Sequence, residues 1–216
     1  MTKTPRLKTK RMLLEPVSLA ELESKATSTE DPEERKAYGE MLAGCREKPE
    51  DYLWYAPWKM ILRENNAEIG GLCFKGAPQK GTVEIGYGLS SKAHEGMGLM
   101  TEAVEAMLDW AFVQDGVYAV EAETAPDNAA SQRILQKTRF VPAGEGEEGP
   151  RFRREKPQLH WMSIYMCFGL SLGMAIGMSM DQMSLSMCLG MGIGVALGAA
   201  MDSSERKKRQ AITGEK

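Results

Sequence analysis

A glycine turn is the segment of this chain whose residue types most directly suggest chemistry. Residues 95–100 have the sequence Glu-Gly-Met-Gly-Leu-Met and join a predicted strand to a predicted helix. Such a turn gathers unpaired backbone N–H groups at the positive end of the helix dipole, where a pyrophosphate binds well. A Gly-x-Gly before a helix is also often only a tight turn, so other motifs must decide between the two interpretations.

A second motif, Asn128-Ala-Ala-Ser131, follows Pro126 and Asp127 at the start of a short predicted helix. Asparagine is a favoured helix N-cap and serine is common in a first turn, so capping alone accounts for this motif. It gains chemical meaning only in combination with the glycine turn.

The elements that must position these motifs are predicted by apolar periodicity and turn residues. We expect an edge strand within Leu7–Val17, two helices within residues 18–47, and an antiparallel meander from Trp58 to Ile85. The later elements are a helix, a strand, a short helix and two last strands, at Thr101–Phe112, Val117–Ala122, Ala129–Lys137, Phe140–Pro142 and Arg151–Glu155. The predicted fold class is mixed α/β.

The two motifs at this separation resemble a known family. The run EIGYGLSSKAHEGMGLMTEAVEAMLDWAF (84–112), followed by ETAPDNAASQRILQKTRF (123–140), is similar to the GNAT superfamily of acyl-CoA-dependent N-acyltransferases. The likeness covers about residues 7–157 and is greatest to the branch that acetylates ribosomal-protein N-termini. It implies a mostly antiparallel sheet flanked by helices. It also implies transfer of an acetyl group from acetyl-CoA to a primary amine, on a small molecule or a protein N-terminus.

The resemblance assigns cofactor-binding residues by position. It implies that the end of the fourth strand offers backbone groups to the pantetheine arm, that the glycine turn holds the pyrophosphate, and that the helix after the asparagine flanks the cofactor. In chain order these residues are Gly88, Leu89, Ser90, Gly96, Met97, Gly98, Leu99, Met100, Thr101, Asn128, Ser131 and Arg133.

Two residues of the glycine turn depart from the family pattern. The family's turn usually opens with Gln or Arg and has Gly or Ala where Met100 stands, whereas this chain opens with Glu95. A carboxylate beside a pyrophosphate is electrostatically unfavourable unless it turns away, and Lys92 and His94 could offset it. A non-catalytic GNAT-like scaffold is therefore the alternative to an enzyme.

Acyl transfer to an amine sets the catalytic requirements. The reaction needs an unprotonated amine, a donor to the oxyanion and an acid for the leaving thiolate, but no covalent nucleophile. Because an α-amine titrates at about pH 8, a glutamate base acting through water suffices. By the resemblance, Glu84 and Glu123 lie near the entry of the acceptor amine and are candidate bases, although either also fits an ion-paired strand residue. Tyr87 is the candidate acid.

Composition excludes other classes of function. The chain has 216 residues, 27 of them basic and 30 acidic, and its net charge of -3 lacks the positive excess of a nucleic-acid-binding protein. The cysteines at 45, 73, 167 and 188 form no Cys-x-x-Cys pair and the two histidines lie far apart, so we expect neither a metal site nor a disulfide framework. No apolar run follows the basic N-terminal residues, so we expect no secretory signal and a cytoplasmic enzyme.

A tandem repeat forms a different C-terminal region. Residues 163–182 and 184–203 align with each other and carry a glycine at every fourth position, at Gly169, Gly173, Gly177, Gly190, Gly194 and Gly198. This spacing places the glycines of each copy on one helix face, where two backbones can approach closely. The repeat predicts a pair of glycine zippers.

The repeat also predicts a helical hairpin that turns at Asp181–Gln182. The stretches Pro157–Met180 and Gln182–Met201 contain no Asp, Glu, Lys or Arg, and each is long enough to span about 30 Å of hydrocarbon. Basic residues flank the two outer ends, at Arg153, Arg154, Lys156 and Arg206–Arg209. Both ends are therefore expected on the cytoplasmic face of a membrane. A soluble zipper that drives self-association through residues 162–201 is the alternative.

These patterns divide the chain into three parts. Residues 1–157 form the GNAT-like domain and residues 158–203 the zipper hairpin, while residues 204–216 form a basic tail that we expect to be disordered.

Overall fold

The computed structural model describes residues 5–180 and 182–214 of the protein. The chain forms two compact units, Met1–Lys156 and Pro157–Lys216. The division falls beside the change in composition from a charged to an uncharged sequence.

The first unit begins with a β-hairpin, followed by helices and a three-stranded meander. Their bounds are Leu7–Lys8 (β1), Met12–Pro16 (β2), Leu19–Ser28 (α1), Pro32–Glu47 (α2), Tyr52–Tyr55 (α3), Trp58–Leu62 (β3), Glu68–Phe74 (β4) and Thr82–Leu89 (β5). The single edge strand expected within Leu7–Val17 is instead two strands. The Thr9 hydroxyl accepts from the backbone N–H of Met12 at 2.9 Å and donates to its carbonyl at 3.1 Å, which closes a turn between them.

The rest of the first unit follows the predicted order of helix, strand, helix and two strands. The bounds are Leu99–Val113 (α4), Ala119–Glu123 (β6), Ala129–Lys137 (α5), Val141–Glu145 (β7) and Pro150–Glu155 (β8). Helix α5 begins and ends at the predicted residues, and Asn128 caps its start by accepting a hydrogen bond from the Ser131 N–H.

The eight strands form one sheet in the order β1-β2-β3-β4-β5-β6-β8-β7. Neighbouring strands are antiparallel, except that β5 and β6 are parallel. The expected mixed, mostly antiparallel sheet flanked by helices is therefore confirmed.

The main core lies between the sheet and α4. Leu99, Ala103, Val104, Met107 and Leu108 of α4 are buried together with strand residues, at the helical spacing that the sequence predicted. Four aromatic rings of this core pack together, with Trp54, Trp58 and Phe74 all within 5.8 Å of the Trp110 ring, centroid to centroid.

The second unit is a helical pair, Trp161–Met180 (α6) and Met183–Thr213 (α7), so the predicted C-terminal helical hairpin is present. Of the expected turn, Asp181 lies outside the described residues. Both helices are long and apolar enough to cross a membrane, by length and composition. Helix α7 continues to Thr213, whereas we expected disorder from residue 204. An established helix propagates readily through the Glu, Arg, Lys, Gln and Ala of this segment, since these are good helix formers.

Candidate functional site

A cavity of about 450 Å³ lies between the end of β5, the start of α4 and helix α5. Its lining residues are Tyr87, Gly88, Leu89, His94, Glu95, Gly96, Gly98, Leu99, Met100, Thr101, Asn128, Ala130, Ser131, Arg133, Ile134 and Lys137. The structure thus brings together the residues that the resemblance assigned to the cofactor, except Ser90 and Met97, which do not line the cavity. Of the candidate catalytic residues, Tyr87 lines the cavity and Glu84 and Glu123 do not.

The cavity borders β5 where that strand parts from β6. The parallel ladder runs from the Thr82–Ala119 pair to the Glu84–Glu121 pair and then ends, whereas β4 stays paired with β5 as far as Leu89. Tyr87–Leu89 therefore present one backbone edge without a strand partner among the described residues. Backbone N–H and C=O groups on such an edge are available to a ligand.

The loop before α4 leaves its backbone donors open. Gly96 and Gly98 adopt left-handed conformations, with φ of 72° and 73°, which a residue with a Cβ adopts only with strain. Gly98 is the N-cap of α4 and makes no side-chain capping bond. The N–H groups of the first turn therefore need an acceptor from outside the helix, and an anion such as a pyrophosphate meets that need.

Arg11, a residue that the sequence analysis did not single out, holds this loop against α4. Its Nη1 donates to the carbonyl of Met97, and its Nε and backbone N–H donate to the two carboxylate oxygens of Glu102, each at 2.8 Å. Burial opposes ionisation of Glu102, but hydrogen bonds from Thr9 and Arg11 and the charge of Arg11 outweigh it. They hold the pKa of the Glu102 carboxyl below its ordinary value.

Charged groups of both signs border the cavity. Arg133 and Lys137 contribute exposed basic side chains from α5, and Glu95 contributes an exposed acidic one. The Nδ1 atom of His94 is buried without a hydrogen-bond partner among the described residues. The two basic side chains fit an anionic ligand and offset the charge of Glu95. Lys137 follows Arg133 by four residues and lies on the same helix face, so the spacing in the sequence was a signal that could have identified Lys137.

Met100, the second departure from the family pattern, is only 5% exposed and belongs to the core between α4 and the sheet. Its bulk is therefore accommodated by packing. The loop also has open space at Gly96, where a Cβ would meet no described atom within 4 Å.

A chain of hydrogen bonds joins β5 to α5 across the cavity. The Tyr87 hydroxyl lies 2.9 Å from Ser131 Oγ, and Asn128 Oδ1 accepts from the Ser131 N–H at 3.0 Å. Burial raises the pKa of Tyr87 above its ordinary value, although the hydrogen bond with Ser131 acts in the opposite direction. Tyr87 therefore keeps its proton at neutral pH and can donate it.

Glu123 is tied to the β8 strand. Its side chain is 4% exposed and its Oε1 accepts from Arg151 Nε at 2.8 Å and Nη2 at 2.5 Å, while its Oε2 accepts from the Glu148 N–H at 3.1 Å. The backbone N–H of Glu148, then Arg151, hold the pKa of Glu123 below its ordinary value. A carboxylate in these bonds has a structural use and is a weak base.

Glu84 lies at the last pair of the β5–β6 ladder. Its Oε1 is 2.6 Å from Lys75 Nζ, and that lysine also pairs with Glu148 at 2.8 Å. Since side chains alternate along a strand, Glu84 and Tyr87 project from opposite faces of β5 close to the point where the two strands part.

Comparisons with known proteins show the family and the fold of this chain. Residues 11–141 match the family described as acetyltransferase (GNAT) domain. An uncharacterized N-acetyltransferase of Bacillus subtilis, YjdG, is 32% identical over 85 residues, which cover 39% of this chain and 50% of the relative. The chain thus spans about half the length of that relative.

Solved structures show the same fold. A ribosomal-protein-S5-alanine acetyltransferase from Vibrio fischeri superposes with a TM-score of 0.57 at 14% identity, over 71% of this chain and 98% of the other. A ribosomal L7/L12 alpha-N-protein acetyltransferase in complex with coenzyme A superposes with a TM-score of 0.54 at 16% identity, over 70% and 98%. By its matching family domain, this chain belongs to the GNAT acetyltransferase family.

Proposed function

We propose that the protein is an N-acyltransferase that moves an acetyl group from acetyl-CoA to a primary amine of a small molecule or a protein N-terminus. The observation that carries this proposal is the uncapped N-terminus of α4, which borders a cavity of about 450 Å³ beside the free edge of β5. Membership in the GNAT family and the coenzyme A complex of a protein with the same fold support it.

In this proposal, different groups of residues at the cavity contact different parts of the cofactor. The backbone of Gly96–Thr101 is suited to the pyrophosphate, and the free edge at Gly88–Leu89, continued by Ser90, to the pantetheine arm. Asn128, Ser131 and Arg133 flank the cofactor from α5, while His94 and Lys137 add donors. When bound, acetyl-CoA supplies the thioester that carries the acetyl group.

In this proposal, two side chains near the end of the β5–β6 ladder move protons. Tyr87 Oη holds a proton on the cavity face of β5, where a departing thiolate needs one. Glu84 lies on the opposite face and can accept a proton from an entering amine, directly or through water. A backbone N–H on the free edge of β5 is the candidate donor to the oxyanion. The amine and the thioester would thus approach from the two faces of the sheet.

Between the two candidate bases, the geometry favours Glu84. Glu123 accepts three hydrogen bonds and is nearly buried. The Glu84 side chain is 29% exposed, and its partner Lys75 is also paired with Glu148. A base must release its existing partner to take up a proton, and Lys75 can remain paired with Glu148 when Glu84 does so.

A non-catalytic scaffold is the second candidate, because Glu95 is an acidic residue at the border of a cavity suited to an anion. Calorimetric titration of acetyl-CoA into the full chain, followed by transfer assays against amines and N-terminal peptides, separates the two. The enzyme binds acetyl-CoA and turns it over with at least one amine. A scaffold shows neither.

A matched pair of variants keeps this test specific. Asn128→Ala removes the cap of α5 beside the cavity, whereas Asn65→Ala removes a similar bond in an exposed turn, where Asn65 Oδ1 accepts from the Ala67 N–H at 3.0 Å. The proposal expects loss of acetyl-CoA affinity in Asn128→Ala alone. Equal affinity in both variants would count against the cavity as the cofactor site.

The proposal gives the second unit a different role, which is to attach the chain to an apolar partner. Large apolar side chains are exposed on both of its helices, for example Phe168 at 69% and Ile193 at 61%. Exposed apolar patches of this kind favour association with another apolar surface. We therefore expect an apolar partner to contact the exposed side chains of the second unit.

A further inference from the structure

The exposed side chains of α6 and α7 form what we term the outer surface of the hairpin. It includes Phe168, Leu172, Met178, Leu189, Ile193 and Leu197, which are 52–71% exposed. Only 11% of the most apolar stretch of either helix is buried, whereas the core helix of a soluble protein is mostly buried. Four properties of the hairpin indicate which apolar partner contacts this surface.

The first property is that the glycine zippers are closed within one chain. A Cβ at Gly190 would overlap the carbonyl of Gly169, and a Cβ at Gly194 would overlap the carbonyl of Tyr165. A Cβ at Gly173 would likewise overlap the carbonyl of Ser186. The two backbones are thus in contact along the zipper faces, so these faces are not available to a second copy.

The second property is that the apolar side chains point in many directions. At 100° per residue, Phe168, Leu172 and Ile176 lie along one side of α6, while Met174 and Met178 lie on another. All five are more than 40% exposed. One docked partner covers one side of a helix pair, whereas bilayer hydrocarbon covers every side.

The third property is length and polarity. Helix α6 has 20 residues and therefore rises about 30 Å, which matches the hydrocarbon thickness of a bilayer. Neither α6 nor the matching part of α7, Met183–Met201, contains a charged residue. The Ser171 hydroxyl donates to the carbonyl of Cys167 at 2.9 Å, so it needs no water.

The fourth property is the chemistry of the open end of the hairpin, where α6 begins at Trp161 and contacts Asp202 of α7. Asp202 accepts hydrogen bonds from the backbone N–H groups of Trp161 at 2.9 Å and Met162 at 3.2 Å, so it caps α6 across the pair. The rings of Trp161 and Tyr165 lie next to each other at this end, with centroids 6.1 Å apart and planes tilted by 41°. Helix α7 then continues into Arg206–Arg209. Aromatic residues followed by basic ones are typical of a membrane interface on the cytoplasmic side.

From these properties we infer that bilayer hydrocarbon covers the outer surface and that the hairpin crosses the membrane twice as a self-packed pair. The open end and the basic end of α7 stay on one side of the membrane, together with the chain that precedes α6. This inference rests on the proposal that the second unit attaches the chain to an apolar partner, and it is independent of acetyl transfer.

Two native thiols provide the test. Cys167 and Cys188 are exposed on α6 and α7, while Cys45 is buried. The full chain is added to preformed vesicles of phosphatidylethanolamine and phosphatidylglycerol, floated, washed with alkaline carbonate and treated with a membrane-impermeant maleimide. We expect flotation that survives the wash, with loss of labelling at Cys167 and Cys188 until the vesicles are dissolved. A thiol placed on the basic end by Ser204→Cys should be labelled throughout.

Two outcomes would overturn the inference. A protein that stays in the dense fractions as a soluble oligomer would assign the outer surface to other copies of the chain. A protein that floats but is released by carbonate, with both thiols labelled, would lie on the membrane surface without crossing it. Neither readout involves acetyl-CoA, so a failure here leaves the proposed enzymatic function untouched, and a failure of that function leaves this test valid.

A pair of glycine variants tests whether the zipper is internal. Gly194→Leu places a side chain against α6, whereas Gly192→Leu on the same helix adds one where a Cβ meets no described atom within 4 Å. In detergent, we expect a monomer whose helical signal melts at lower temperature in Gly194→Leu but not in Gly192→Leu. A dimer that Gly194→Leu converts to a monomer would show that the zipper joins two copies.

Discussion

Arg11 and Glu102 are 91 residues apart in the chain and form a two-point contact in the structure, in which the backbone N–H and Nε of the arginine each donate to one carboxylate oxygen. The same guanidinium donates to the carbonyl of Met97, in the loop that precedes α4. The turn between β1 and β2 is thus joined to both the loop and the first turn of the helix. These contacts keep the backbone donors of the loop in one arrangement before any ligand binds.

Removal of Arg11 should weaken acetyl-CoA binding and leave the chemical step intact. We expect Arg11→Ala to raise the KM for acetyl-CoA about tenfold, because loss of a hydrogen bond to a charged group costs roughly 1.5 kcal/mol. The value of kcat should change little, since Arg11 does not line the cavity. Steady-state kinetics, with KM measured separately for acetyl-CoA and the amine, check this.

Arg6→Ala is the control for this prediction. It removes the ion pair between Arg6 and Glu15 in the same β-hairpin, at 2.9 Å. Among the described residues, no hydrogen bond or ion pair joins Arg6 to the glycine loop. The contacts of Arg11 with Glu102 and Met97 are termed the clamp. A KM for acetyl-CoA that rises equally in both variants would mean that general loosening of the β1–β2 hairpin, and not loss of the clamp, causes the effect.

Acid should weaken the clamp in a defined range. The pKa of Glu102 lies below its ordinary value of 4.5 in the folded protein, so its ionised form stabilises the fold above that pH. This contribution is lost as the pH falls through the folded value. The melting temperature of Glu102→Gln should therefore lie below that of the parent at neutral pH, and the difference should shrink in acid. A difference in melting temperature that does not change with pH would contradict the lowered pKa of Glu102.

Gly98→Val should reduce acetyl-CoA affinity more than its effect on stability explains. The left-handed conformation at Gly98, φ 73°, costs a branched residue roughly 1–2 kcal/mol and turns the first N–H groups of α4 away from a bound anion. Calorimetric titration of acetyl-CoA and thermal unfolding measure the two effects. Gly39→Ala in α2, where a Cβ meets no described atom within 4 Å, should leave affinity unchanged.

Local patterns predicted the parts of the site that depend on neighbours in sequence. The cap at Asn128 fixes the start of α5, and apolar residues at helical spacing place α4 against the sheet. For the same reason the sequence correctly predicts that the glycine turn precedes α4 and that the Asn-x-x-Ser motif begins α5. Helix α7 extends further than predicted because helix propagation depends on the preceding turns and not on local charge.

Contacts between distant segments could not be predicted in this way. The separation of β5 from β6 after Glu84 depends on which strands pair, and no residue within β5 signals it. The clamp of Arg11 and the bonds between Glu123 and Arg151 likewise join segments that only the sheet brings together. Such contacts also distinguish the two candidate glutamates, since Glu123 is bonded to Arg151 and to the Glu148 N–H, whereas Glu84 is paired with Lys75.

Glutamine replacements should therefore affect the two glutamates differently. Glu84→Gln should lower kcat about 100-fold, as expected for loss of a general base, with the fold retained. Glu123→Gln should leave kcat nearly unchanged and lower the melting temperature, because Arg151 and the Glu148 N–H lose a charged acceptor. Transfer rates at saturating amine and thermal unfolding separate these outcomes. A larger loss of kcat in Glu123→Gln would reverse the assignment.

The role of Tyr87 can be tested through the pH dependence of the rate. If Tyr87 donates a proton, kcat falls when the pH rises above its pKa, which burial already raises. The hydrogen bond with Ser131 lowers that pKa, so Ser131→Ala should shift the alkaline limb of the rate profile to higher pH. Tyr87→Phe should lower kcat and abolish the limb altogether. A limb that stays in place in Tyr87→Phe would belong to another group, and Tyr87 would then be only part of the cavity wall.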